Sequence, residues 1–203
     1  MNDHITSIDA LRALYAAPKE RSVKKQLAAL DVHCRSFIGL SPFLVLATHS
    51  GAGDMDASPR GGPPGFVKVH DGHTLLIPDA PGNNRLDSLE NIVATGRAGL
   101  LFLIPGVDES LRINGTAVLS REPADVALFA DERRAPVLVI RLTVQEAYLH
   151  CAKALMRSCL WREGSRIERS RLPTMGQMIN DQTGAQTPVE TQEAMLQRYA
   201  ADL

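Results

Sequence analysis

Three groups of residues in this 203-residue sequence combine side chains that could bind an anion. The first consists of Asn84, Arg85 and Ser88, at the predicted N-terminus of a helix. Free backbone N–H groups and the positive end of the helix dipole favour an anion there. Arg85 adds a guanidinium that can bind a phosphate through two hydrogen bonds, and Ser88 adds a hydroxyl. The alternative is a solvated first turn that Asn84 only caps.

The second group is segment 56–60, which reads DASPR and is followed by two glycines. Pro59 is expected to end the hydrogen bonding of a strand, and the paired glycines would let a flat ligand approach the backbone closely. Arg60 would then hold a fixed positive charge beside that ligand. The alternative is an ordinary hairpin edge followed by a flexible loop.

The third group is Lys153, Arg157 and Trp161, which recur every four residues in a segment with helical spacing, Gln145 to Trp161. Residues four apart share one face of a helix. Two cations and the only tryptophan of the chain would suit an anionic aromatic ligand. The alternative is a basic solvated face with a half-buried Trp161.

Other chemistries have weaker support. No histidine or cysteine spacing matches a zinc site, and the sequence contains no G-x-S-x-G, G-x-G-x-x-G or P-loop pattern, so we expect no metal and no Rossmann nucleotide site. A net charge of −1 argues against a nucleic-acid partner. Three cysteines without a CxxC pair indicate a reducing, cytoplasmic compartment. No apolar run reaches the roughly 18 residues of a membrane span, so no membrane association is expected.

Apolar periodicity predicts the elements that would position these groups. The first forty residues are predicted to form two helices, one capped by Thr6 or Ser7 and one from Ser22 to Gly39. Predicted strands are 43–48, 55–59, 66–69, 74–78, 98–104, 110–120 and 136–143. Further helices are predicted from Asn84, over 123–130, 145–161 and 189–199. Six or seven short strands joined by hairpins favour a small antiparallel barrel flanked by helices.

The sequence resembles the pyridoxamine 5′-phosphate oxidase-like flavoproteins, whose fold is the FMN-binding split barrel. The matching segments are 41–48 (SPFLVLAT), 56–62 (DASPRGG), 65–67 (GFV), 77–79 (IPD), 82–92 (GNNRLDSLENI), 99–106 (GLLFLIPG) and 111–115 (LRING). Segment 150–161 also looks like one branch of this family, so the resemblance covers roughly residues 30–162.

The resemblance implies a mainly β protein with flanking helices (α+β), built on a six-stranded antiparallel Greek-key split β-barrel. N-terminal helices (1–40) would pack on the FMN-binding barrel with its interface helix (41–162), and a polar tail with one helix (163–203) would follow. A homodimer would hold FMN between its subunits, with Lys153, Arg157 and Trp161 completing the site from the partner chain. The implied cofactor contacts are Ala57, Ser58, Pro59, Arg60, Asn84, Arg85, Ser88, Lys153, Arg157 and Trp161.

The implied function is an FMN-dependent oxidoreductase acting on a small organic substrate, with a nicotinamide or oxygen as electron partner. No catalytic residue is assigned. Arg171-Leu172-Pro173 only faintly echoes the substrate-contacting segment of true pyridoxamine phosphate oxidases, so vitamin B6 is not the expected substrate. Two alternatives remain: a flavin store or sensor without turnover, and a relative that uses haem, with His49 or His150 as axial ligand, or the deazaflavin F420.

Overall fold

The computed structural model describes residues 4–80 and 82–200, so Pro81, which the sequence places in a loop, lies outside the described residues. The helices are α1 (Ile8–Ala13), α2 (Glu20–Lys24), α3 (Val32–Leu40), α4 (Asp87–Thr95), α5 (Pro123–Ala127), α6 (Lys153–Ser158), α7 (Met175–Thr183) and α8 (Gln192–Ala200). Two short 3-10 helices cover Glu163–Ser165 and Arg169–Arg171. In the part of the chain that is described, no helix is long and apolar enough to cross a membrane.

The strands form one antiparallel sheet. They are β1 (Phe43–His49), β2 (Met55–Gly61), β3 (Lys68–Val69), β4 (Thr74–Pro78), β5 (Arg97–Leu103), β6 (Ser110–Ser120) and β7 (Val139–His150). Their order is β2-β1-β5-β6-β7-β4-β3. The predicted class, mainly antiparallel β with flanking helices, is confirmed. The six strands that the resemblance implies are one too few: the structure has seven, within the six or seven that the apolar pattern predicts, because the two-residue strand β3 pairs with β4 and extends the sheet.

Strict alternation along β1 sets the two faces of the sheet. Leu44, Leu46 and Thr48 are buried, whereas the residues between them are half-buried on the other face. Helices α3 and α4 contribute to the core through residues such as Cys34 and Ile92. Burial raises the pKa of the Cys34 thiol to about 11, so this cysteine behaves as a core residue, as its position on an apolar stripe predicts.

The helix predicted from Ser22 to Gly39 is two helices, α2 and α3, separated by a short extended segment. Leu27 forms an isolated β-bridge with Ala147, in which each backbone N–H donates to the other residue's carbonyl at 2.9 and 2.8 Å. Asp31 then caps α3, because its carboxylate accepts a hydrogen bond from the Cys34 N–H at 2.8 Å. A long-range backbone contact therefore overrides the local helical periodicity.

The helix predicted over 145–161 is also wrong. Residues up to His150 belong to β7, which pairs with β6 as far as Ser110 opposite His150. Only α6 is helical in this segment, and Cys159 ends it with a left-handed φ of 52°. Trp161 therefore lies beyond the helix that carries Lys153 and Arg157. The spacing of four that joined the three residues does not place them on one helical face.

Two further boundaries differ near the predicted anion sites. Asn84 is not the cap of α4: both Asn84 and Leu86 have φ of 60°, and the helix starts at Asp87. Strand β2 runs through Pro59 to Gly61 instead of ending at the proline. Proline is tolerated there because β2 is an edge strand, where one side of the ladder needs no N–H donor.

The tail contains more helix than the sequence pattern predicts. The helix predicted over 189–199 corresponds to α8, and α7 precedes it without having been predicted. Thr174 caps α7 by accepting a hydrogen bond from the Gln177 N–H at 3.3 Å.

Asp31→Ala is expected to destabilise the protein by about 1 kcal/mol at neutral pH, because the N-cap of α3 is lost. The hydrogen bond from the Cys34 N–H lowers the pKa of Asp31. Its ionised form therefore stabilises the fold above the ordinary carboxyl pKa, and this contribution is lost as the pH falls through the lowered value. Urea unfolding at pH 7 and at about pH 3 should show the deficit shrinking in acid.

Asp31→Asn is the matched control, since asparagine is an equally good N-cap. A large loss of stability in this variant, or an Asp31→Ala deficit that does not change with pH, would contradict the assignment.

Candidate functional site

The first and second residue groups meet in one cleft of about 860 Å³. The cleft lies between the end of β2, the segment after β4 and the turn that enters α4. Its lining residues are 56, 58–61, 66, 78–80, 82–89, 137 and 138. A volume of this size is within the range of small-molecule sites, roughly 300–1,000 Å³.

Six of the ten predicted site residues line this cleft: Ser58, Pro59, Arg60, Asn84, Arg85 and Ser88. Ala57 does not, although it lies in the same strand, where it is exposed and stands opposite Ala47 of β1. Segments 56–60 and 84–88 are thus brought together, as expected of a shared site, by the packing of α4 against β1 and β2.

Arg60 is the most shielded cation of the cleft, with 19% of its side chain exposed. Its Nη1 lies 3.3 Å from Oδ1 of Asp79, which follows β4. Its Nε is buried and has no hydrogen-bond partner among the described residues. A buried donor without an acceptor destabilises the fold. A ligand that places an acceptor group near this Nε would remove that penalty on binding.

Arg85 is arranged differently. Its side chain is 74% exposed, and its Nε donates to Oδ2 of Asp87 at 2.7 Å. That hydrogen bond raises the pKa of the Arg85 guanidinium. The Arg85 N–H also donates to Oδ1 of Asn83 at 3.1 Å, which stabilises the turn before α4. Arg85 therefore has a water-accessible partner, unlike Arg60, and would have to exchange that partner to bind a ligand.

Ser88 lies in the first turn of α4 and is buried. Its hydroxyl donates to Oδ2 of Asp56 at 2.5 Å. Because a serine hydroxyl has a single hydrogen, Ser88 has none left to donate to an anion in this arrangement. The expectation that Ser88 donates its hydroxyl to a phosphate is therefore not what this geometry favours. No side chain caps α4 within the described residues, so its first backbone N–H groups stay free for a ligand.

The second of the two glycines after Arg60 is required by the packing of the chain itself. A Cβ on Gly62 would lie 2.8 Å from the Cβ of Phe66, whereas one on Gly61 would make an ordinary contact of 3.4 Å with the carbonyl oxygen of Pro42. The missing side chain of Gly62 therefore makes room for Phe66. The expectation that the paired glycines admit a flat ligand has no support in the surroundings of Gly62.

The charges of the cleft do not favour an anion in a single chain. Its charged lining residues are three aspartates, Asp56, Asp79 and Asp87, and two arginines, Arg60 and Arg85. Each arginine already has a carboxylate partner. Tight binding of an anion would therefore need cations beyond those that line the cleft in one chain.

The third residue group does not line the cleft. Lys153 and Arg157 are exposed on α6, and Trp161 is half-buried, with its Nε1 donating to the Val107 carbonyl at 2.8 Å. Histidines and cysteines are also absent from the described lining, and no group of three or more possible metal ligands occurs in the described residues. His49 instead has its Nδ1 2.9 Å from the Ser50 carbonyl.

Sequence reasoning missed several lining residues. Asp79, the partner of Arg60, ends the segment IPD but receives no role from the sequence, because nothing local shows that it meets β2. Val137 and Leu138 give the cleft part of its apolar wall and carry no sequence signal. Such contacts depend on how the sheet curls, which a single sequence does not display.

Comparison with solved structures supports the fold. The HupZ protein of Group A Streptococcus is similar with a TM-score of 0.50 and 16% identity, over 59% of this chain and 93% of that one. A variant of HupZ with one histidine replaced by alanine gives the same score and identity over 59% and 98%. An FAD binding protein from Mycobacterium smegmatis has a TM-score of 0.44 and 15% identity, over 61% and 97%. At these identities the HupZ likeness concerns the fold alone.

No curated protein sequence matches the chain. A sequence model of the family described as pyridoxamine 5′-phosphate oxidase matches residues 30–151, which is more than half of the 203 residues. The match spans β1 to β7 and includes every lining residue of the cleft. The chain therefore belongs to the pyridoxamine 5′-phosphate oxidase family.

Proposed function

We propose that this protein binds FMN in the cleft and acts as an oxidoreductase on a small organic substrate. The observation that carries the proposal is the buried Nε of Arg60, which has no partner among the described residues, in a cleft of suitable size and in a member of a family that binds flavins. The phosphate of FMN would lie at the start of α4, and its ring system would lie along β2.

The residues of the cleft fit such a ligand. Arg60 offers a shielded guanidinium, and the first turn of α4 offers uncapped backbone N–H groups suited to a phosphate. Phe66, Val137 and Leu138 offer apolar surface for an aromatic ring. FMN would supply the redox chemistry when bound. The protein would hold it in place and keep the positive charge of Arg60 beside it in a poorly solvated setting, where that charge acts more strongly than in water.

We further propose that the site is completed in a homodimer. The three aspartates and two arginines of the cleft leave one chain short of positive charge for a phosphate. Lys153 and Arg157 are exposed and do not line the cleft of their own chain, so they are free to reach the cleft of a second copy. Trp161 would accompany them from the same segment. This arrangement would give each site cations from both subunits.

An apolar surface supports this association. Val45 of β1 stands between Pro59 of β2 and Leu101 of β5 in the register of the sheet. These residues lie on the face of β1 that is turned away from the core, and neither Val45 nor Leu101 belongs to the buried clusters. A contiguous apolar face of this kind is typical of a protein–protein interface. Since Pro59 also lines the cleft, a partner on this face would reach the site.

The alternatives lack a comparable observation. A haem site would need an axial ligand, and neither His49 nor His150 lines the cleft. A flavin store would have the same binding residues as the enzyme and would differ only in lacking turnover. Addition of a nicotinamide donor distinguishes the two, because only turnover bleaches the yellow colour of the bound flavin. We place the protein in the cytoplasm, a location supported by the three free cysteines, two of which are exposed.

Arg60→Ala is expected to weaken FMN binding by about 10- to 100-fold, because hydrogen bonds to a charged group contribute about 1.5–3 kcal/mol. Arg85→Ala should have a smaller effect, since Arg85 is largely exposed and paired with Asp87. Titration of the apoprotein with FMN, followed by flavin fluorescence, measures both. Arg60→Lys is the matched control and should retain part of the affinity. A wild-type protein that stays colourless and binds no FMN would refute the proposed function.

Val45→Glu is expected to convert a dimer into a monomer, because it introduces a charge into the centre of the apolar face. Val93→Glu is the control, since Val93 is 74% exposed on α4 and lies outside that face. Light scattering coupled to size-exclusion chromatography gives the mass of each. If both variants keep the mass of the wild-type protein, this face is not the interface.

Mixed dimers test which chain supplies which cation. Arg60→Ala and Arg157→Ala homodimers should each have two impaired sites. A dimer with one subunit of each kind should regain one intact site if Arg157 acts across the interface. FMN stoichiometry of the purified heterodimer measures this, and the absence of any recovery would place both residues in sites formed by one chain.

A further inference from the structure

Asp56 is an unexpected residue for a phosphate site. It lines the cleft, and its carboxylate is close to the first turn of α4, where we place the phosphate of FMN. Like charges repel, so a carboxylate here would weaken the binding of an anion if it had no other role. Its hydrogen bonds indicate what that role is.

The carboxylate of Asp56 joins three elements. Its Oδ2 accepts hydrogen bonds from Ser88 Oγ of α4 at 2.5 Å and from Thr48 Oγ1 of β1 at 3.3 Å. Thr48 Oγ1 in turn accepts a hydrogen bond from Nδ2 of Asn91, one turn further along α4, at 3.0 Å. Ser88 and Thr48 are both buried. Edge strand β2 is thus held to α4 both directly and through β1.

The direction of these hydrogen bonds is fixed by the atoms available. A carboxylate has no hydrogen to donate, and Ser88 and Thr48 each have one, so both hydroxyls point at Asp56. Ser88 therefore presents only lone pairs to its other neighbours. The donors left for a phosphate at this place are the backbone N–H groups of the first turn of α4 and the side chains of Asn84 and Arg85 in the turn before it, whereas Arg60 lies four residues further along β2.

We propose that Asp56 is a positioning residue of the phosphate site. By binding Ser88, it holds the first turn of α4 at a fixed distance from β2, so that the phosphate at α4 and the ring along β2 can belong to one FMN molecule. The inference rests on the proposed function, because it assigns a role within the same site. It concerns the phosphate more than the ring, since the link fixes the first turn of α4, whereas β2, along which the ring would lie, is also held by its ladder to β1.

A purely repulsive role and a positioning role of Asp56 predict opposite effects of Asp56→Ala on the affinity for FMN. If Asp56 only repels the ligand, Asp56→Ala tightens FMN binding. If it positions the donors, Asp56→Ala weakens FMN binding in spite of the lost repulsion. Asp56→Asn separates the two further: its amide oxygen still accepts from Ser88, and the negative charge is absent.

The experiment compares the affinities of FMN and riboflavin, which lacks the phosphate, for the full-length protein and its variants by fluorescence titration. We expect Asp56→Ala to weaken FMN binding by about tenfold and to change riboflavin binding by less than about twofold. Asp56→Asn should bind FMN at least as tightly as the wild type. Ser88→Ala removes the same link from the other side but keeps the charge of Asp56, so it should weaken FMN binding at least as much as Asp56→Ala. The double variant should bind FMN no more weakly than Ser88→Ala alone.

Asp87→Ala is the matched control for charge. Asp87 also lines the cleft, but it pairs with the exposed Arg85 and makes no hydrogen bond to Ser88 or Thr48 among the described contacts. Its removal takes away the same charge and releases Arg85, so FMN binding should tighten. Asp56→Ala and Asp87→Ala should therefore shift the affinity in opposite directions.

Three results would overturn the inference: tighter FMN binding by Asp56→Ala, equal weakening of FMN and riboflavin, or additive effects of Asp56→Ala and Ser88→Ala. If Asp56→Ala does not fold, the changes in FMN and riboflavin affinity of the Ser88→Ala variant test the inference without it. A wild-type protein that binds neither flavin would refute the proposed function and this inference together. A wild-type protein that binds FMN, with a Ser88→Ala variant that binds it equally well, would refute only the inference.

Discussion

The shielding of Arg60 is the constraint on which the arrangement of the cleft depends. A guanidinium cannot lose its charge, so it must find acceptors wherever the fold places it away from water. Asp79 supplies one of them at 3.3 Å, and in doing so it connects β2, at one edge of the sheet, with the end of β4, next to the other edge. That one pairing joins two walls of the cleft, and it leaves the buried Nε of Arg60 without a partner among the described residues.

The excess of aspartates over arginines in the cleft relates the cleft to the apolar face around Val45 and to the cations of α6. A site with two arginines and three aspartates in one chain is poorly suited to a phosphate, yet its size and donors fit one. The two observations agree if the subunit is only half of the binding unit. The apolar face around Val45 and the exposed cations of α6 are then parts of the same site, although they lie apart in a single chain.

The alternation of apolar residues is a local signal, and it predicted the antiparallel sheet and most of its strands. The clustering of polar residue types also pointed to segments 56–60 and 84–88, residues of which line one cleft. Long-range contacts were not predictable in the same way. Residues 145–150 have helical spacing but pair with β6, and the Leu27 bridge to Ala147 divides a helix that looks continuous. The direction of the Ser88 hydroxyl depends on Asp56, thirty-two residues away in sequence.

Strand β2 stands at the edge of the sheet and carries much of the cleft wall, with β1 beside it as its strand neighbour. Edge strands open more readily than central ones, because fewer backbone hydrogen bonds hold them. A ligand that contacts both Arg60 and α4 would stabilise this strand on its unpaired side. Amide exchange along Met55–Gly61 would then slow when the ligand binds, so this edge strand would report whether the cofactor is present.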